Sequence, residues 1–79
     1  MIRREYSVYQ FFPNDMYERV VEFVDIETAV ETARRLGKSV GARLGMVERI
    51  IITDGGDCLC FEWIRGKGVT DLTSEDHDA

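Results

Sequence analysis

At 79 residues, 44% hydrophobic and 32% charged, the chain has the size of one domain with a single modest core, which excludes two domains, a largely disordered chain and a low-complexity filament. Its net charge of −5 opposes close approach to nucleic acid or an anionic membrane surface. No apolar run is long enough to span a bilayer, and Met1 to Glu5 is not followed by the apolar segment of a secretory leader, so a cytoplasmic location without membrane contact is expected.

Arg4 to Phe12 combines tyrosine, valine and phenylalanine in partial alternation and predicts a first strand. Pro13-Asn14-Asp15 ends it, because proline fixes φ and cannot donate to a ladder. Met16 to Val24 predicts a second strand. Simple alternation puts Tyr17, Arg19, Val21 and Phe23 on one face, with Val21 and Phe23 as the core candidates.

Asp25 is placed to cap a helix, with Glu27 in the favourable field of its first turn. From Ile26 to Leu44 the period becomes helical: Ile26, Ala29, Val30, Ala33, Leu36, Gly37, Val40 and Leu44 share one stripe. Arg34, Arg35, Lys38 and Arg43 gather in the second half, where cations complement the negative helix end. Two readings compete for Gly37 and Gly41: a close approach of the helix backbone to its neighbours, or a helix that becomes irregular after Leu36. Gly45 reads as the left-handed stop.

Met46 to Arg65 carries the strongest signal, a β-hairpin turning at Asp54-Gly55-Gly56-Asp57, where the glycines are expected to supply positive φ. Alternation puts Leu59, Phe61 and Trp63 on one face and Cys58, Cys60, Glu62 and Ile64 on the other. Val69 to Leu72 adds a short extension. The expected domain is 1–72, followed by an acidic and mobile tail, 73–79, that includes Glu75, Asp76 and Asp78.

The resulting fold is α+β: ββαββ, one helix packed on a four-stranded, mostly antiparallel sheet, with the strand order in space left open. A helix about 10–12 Å across cannot cover a sheet about 19 Å wide. Large apolar groups also occur on both sides of the strands. Ile51 points opposite to Ile50 and Ile52, and Tyr9 and Phe11 point opposite to Val8 and Phe12. Tyr9, Phe11 and Ile51 are therefore the interface candidates, and a twofold homodimer through a sheet face or edge is the expected assembly.

Chemical signals are weaker. Cys58 and Cys60 could hold a soft metal only with ligands from a second copy, because the single histidine, His77, lies in the tail; reduced thiols are the stronger reading and no cofactor is expected. Asp54 and Asp57 read as turn residues rather than cation ligands. No phosphate-cradling loop and no nucleophile–base arrangement is present. Glu62 is the most notable isolated carboxylate, and pairing with Arg49 or Arg65 on a neighbouring strand accounts for it.

Tyr6-Ser7-Val8-Tyr9-Gln10-Phe11-Phe12-Pro13, Ser39-Val40-Gly41-Ala42-Arg43 and Ile51-Ile52-Thr53-Asp54-Gly55-Gly56-Asp57-Cys58 give the chain a resemblance to a group of small uncharacterised bacterial proteins. The resemblance implies a bacterial origin and a free-standing domain, and carries no activity. The leading functional expectation is a cytoplasmic interaction or regulatory module, homodimeric and binding protein. The alternative is a small-ligand-binding or enzymatic domain with a pocket between helix and sheet or at a dimer seam, using tyrosines, Trp63, Glu62 and Cys58.

Overall fold

The computed structural model describes residues 3–70. Five strands, β1 (Tyr6–Phe11), β2 (Tyr17–Val24), β3 (Arg49–Thr53), β4 (Leu59–Ile64) and β5 (Gly68–Thr70), form one antiparallel sheet in the order β2-β1-β3-β4-β5. Between β2 and β3 run a main helix, α1 (Ile26–Gly37), and a single turn, α2 (Val40–Arg43). The chain is thus α+β as expected, with a fifth strand beyond the expected four and a helical segment in two pieces. The helix returns the chain beside β1, so β2 and β3 run parallel to each other with β1 between them. The expected boundary at residue 72 and the acidic tail lie outside the described residues.

Two bulges set the faces of β2. Its register with β1 shifts between Tyr6 and Val8 and again between Val8 and Tyr9, so that Val21 lies opposite Val8 while Arg19 lies opposite Tyr9. Each shift inserts one unpaired residue and reverses the alternation. Val21 and Val24 therefore pack against the core, but Phe23, expected inside, is 65% exposed. Its φ of 58° is a costly value for a bulky side chain.

Asp25 precedes α1 without making a side-chain capping bond to the backbone. Its carboxyl is nevertheless held below the ordinary aspartate range, chiefly by the neighbouring Thr28 hydroxyl. α1 buries Ala29, Thr32 and Ala33, small side chains that bring the helix close to β1 and β3. It ends at Gly37 rather than continuing to Leu44. The Ser39 hydroxyl donates to Leu36 O at 2.7 Å and accepts from Ala42 N–H at 3.2 Å, so one side chain closes α1 and caps α2. Because the axis breaks there, Val40 and Leu44 leave the apolar stripe and both are 70% exposed. Gly45, at φ 79°, is the expected left-handed stop.

In the β3–β4 turn Asp57, not either glycine, takes the left-handed conformation, with φ 63°. Asp54 Oδ1 accepts from Gly56 N–H at 2.9 Å and Cys58 N–H at 3.0 Å, which explains the aspartate by turn chemistry. A further bulge separates the pairs Ile52–Phe61 and Thr53–Leu59. It places Cys60 out of alternation and turns Leu59 to the face opposite Phe61 and Trp63. Cys58 precedes β4 and is exposed, so the expected pairing of the two cysteines on one strand face does not form.

The core lies between α1, α2 and one face of the sheet: Val8, Ile50 and Ile52 are fully buried, with Ala29, Ala33, Ala42, Val47 and Phe61 around them. No helix among the described residues is long and apolar enough to cross a membrane.

Candidate functional site

Both helices pack on the face that carries Val8, Ile50, Ile52 and Phe61. The opposite face is covered by no element among the described residues. Strand register builds it row by row. Tyr17, Phe11, Arg49 and Ile64 stand side by side across β2, β1, β3 and β4, and Arg19, Tyr9, Ile51 and Glu62 form the next row. The Tyr17 ring centre lies 5.6 Å from that of Phe11 and 6.1 Å from that of Tyr9.

Arg49 ties the two rows together. Its guanidinium carbon sits 5.3 Å from the centre of the Phe11 ring, and its Nε donates to Glu62 Oε2. A planar cation held by a ring and a carboxylate at once has little rotamer freedom left. The Glu62 side chain is only 17% exposed, because Ile51 and the Arg49 stem flank it. At the rim Arg19 pairs with Glu22 at 2.7 Å. The open face is therefore an apolar and aromatic surface crossed by one fixed ion pair.

The structure brings the expected interface residues Tyr9, Phe11 and Ile51 onto this one face. The expected ligand residues are separated. Glu62 is on the open face in its pair with Arg49, Trp63 packs against the core on the helix face, and Cys58 is exposed in the turn before β4. These three form no common site. Among the described residues no group of three His, Cys, Asp or Glu side chains is placed to hold a metal ion.

A second concave surface lies on the helix face. α1 stands over β1 and β3, and one helix about 10–12 Å wide leaves part of a sheet measuring roughly 19 Å between its outer strand axes uncovered. The gap is a groove of about 630 Å³ between α1 and the β4–β5 pair, lined by Tyr6, Ile26, Val30, Arg34, Phe61 and Val69, with Cys60 beside Phe61. A smaller recess of about 120 Å³ shares Arg34, Phe61 and Val69 and reaches Gly37, Lys38 and Trp63. Gly37 lies against the indole, where an added Cβ would make an ordinary contact, 3.4 Å from Trp63 Nε1.

Sequence reasoning missed Tyr17 and Ile64 on the open face and Arg34 and Val69 in the groove. Tyr17 was readable from its position across the first turn from Phe11. Arg34 was not, because helix-end cations have a sufficient local explanation in the helix dipole. Compared with protein-family models, with curated proteins and with solved structures, the chain matches none.

Proposed function

We propose that the chain is a small protein-interaction module that self-associates through the open face of its sheet. The observation that supports this reading is the uncovered surface of Tyr9, Phe11, Tyr17, Ile51 and Ile64, an apolar patch on the side of the sheet away from both helices. A second copy is the occupant that suits it. The face carries Arg19 and Arg49 together with Glu22 and Glu62, so an identical face offers both signs of charge to it, and sheets stack face to face about 10 Å apart.

The four strands that carry the patch, about 4.8 Å apart and about 17 Å long, give a projected footprint of roughly 330 Å² per copy, below the roughly 600–1,000 Å² per partner of a stable specific interface. A contact of that size suits weak, reversible association. The exposed thiol of Cys58 suits a reducing, cytoplasmic setting, and the net charge of −5 favours protein over nucleic acid as partner.

Sedimentation equilibrium from low-micromolar to millimolar protein tests the proposal. The weight-average mass should rise from one chain toward two. Tyr9→Glu and Ile51→Glu should hold it at one chain while leaving the circular dichroism unchanged. A mass of one chain across the whole range for the parent protein rules the reading out.

A further inference from the structure

The groove beside α1 has an uneven charge that the core does not require. At its α1 C-terminal end stand Arg34 and Lys38, both exposed and neither taking part in an ion pair among the described residues. The Trp63 indole lies beside them along Gly37, and its N–H has no acceptor among the described residues. Its middle is apolar, made by Val30, Phe61 and Val69. An adjoining hollow on the α1 side, which Arg34 also lines, adds Glu27 and Glu31 beside Ile26 and Val30.

Three donors at one end and an apolar trough running from them toward the α1 N-terminus define a polarity. We infer that the groove binds an amphipathic carboxylate, with its anionic head at Arg34, Lys38 and Trp63 and its hydrocarbon body along Val30, Phe61 and Val69 toward Tyr6 and Ile26. The volume of about 630 Å³ falls within the range of small-molecule sites. Arg34 and Ile26 are eight residues apart on the helix, a span of about 12 Å that sets the length of the hydrocarbon body. A guanidinium supplies paired, charge-assisted donors to a carboxylate, and the indole N–H adds a neutral one. Glu27, about 10 Å from Arg34 along the helix, disfavours an anionic head at the α1 N-terminal end. The site lies on the helix face, away from the sheet face proposed to self-associate, and does not depend on it.

The chain contains one tryptophan, and it lines the site, so intrinsic fluorescence reports occupancy directly. Sodium decanoate, kept below its micelle threshold, is the probe, and decanol is its neutral counterpart. Decanoate should change the Trp63 emission saturably. Decanol should bind about tenfold more weakly, for want of the charge-assisted bonds. Arg34→Met should cost decanoate about fivefold and remove most of its advantage over decanol, with an unchanged urea midpoint showing that the fold is intact. Lys38→Met, also on an exposed side chain, should weaken decanoate by a smaller factor. Val69→Glu should weaken both probes. The inference is overturned by the absence of a saturable change with decanoate, by equal affinity for decanol, or by undiminished binding in Arg34→Met.

Discussion

Ile51 and Ile52 are adjacent, chemically identical and, in this structure, on opposite sides of the sheet, so truncating each to alanine separates the two faces cleanly. Ile52 is fully buried, with Val8 and Phe61 opposite it on the flanking strands. Hydrogen bonding on both sides prevents the strand from collapsing into the void, so Ile52→Ala falls in the upper part of the usual range, about 4 kcal/mol. That is a large share of the roughly 4–12 kcal/mol expected for a domain of this size. Ile51 is half-buried beside Tyr9 and Glu62. Losing three carbons that are about half covered costs on the order of 1 kcal/mol. The loss of β-propensity is common to both substitutions and cancels in the comparison.

The predicted gap is therefore about 3 kcal/mol, which at a urea slope near 1 kcal/mol per molar separates the two midpoints by about 3 M. Unfolding should be followed at two protein concentrations, because a contribution of Ile51 to self-association grows with concentration whereas that of Ile52 does not. Equal losses at the lower concentration, or a larger loss for Ile51, would show that the strand is in the wrong register and that the face assignment fails with it.

Three further outcomes follow from individual residues. Phe23 is exposed and left-handed, so Phe23→Gly should raise the urea midpoint by the equivalent of about 1 kcal/mol, and a loss would mean that the ring makes a contact worth more than the strain. A double-mutant cycle on Arg49→Met and Glu62→Gln should give a coupling near 1 kcal/mol, because the carboxylate is mostly covered; a coupling indistinguishable from zero would show that the pair is incidental. The Asp25 carboxyl titrates below its ordinary value chiefly through the Thr28 hydroxyl. Since the folded pKa is the lower one, the stabilisation is fully present above the unfolded value, near 3.9, and is lost as the pH falls through the folded value. Asp25→Asn should therefore flatten the acid limb of the midpoint–pH curve below about pH 4, and an unaltered limb would contradict the assignment.

The fold class was legible because the β-branched run Ile50 to Ile52 beside a turn signal and the three- and four-residue steps from Ile26 to Leu36 each point to one kind of element. The bulges were not legible. Nothing in Val20-Val21-Glu22-Phe23 marks where a residue drops out of the ladder, and each missed bulge reversed a face, exposing Phe23 and moving Leu59. The helix break was visible only as a choice between two readings of Gly37 and Gly41, and Ser39 decides it through two hydrogen bonds. Of the candidate residues, Tyr9, Phe11 and Ile51 came together because β1 and β3 pair without a bulge and keep strict alternation. Glu62, Trp63 and Cys58 did not, since neighbours in sequence on a strand face opposite ways and Cys58 lies outside it.

The bulged strand β2 also governs what kind of assembly this chain can enter. An edge strand with a regular ladder is a template on which further copies add without limit, and the central Ile50-Ile51-Ile52 run is the type of segment that such growth recruits. Here that run is enclosed by β1 and β4. The exposed edge at β2 is twice interrupted and carries Glu18, Arg19 and Glu22, so its amide and carbonyl groups are out of step with any straight strand that approaches. Growth along the sheet is blocked at that edge, which leaves the face as the surface for the self-association proposed above, a closed pairing with no free ladder for a third copy.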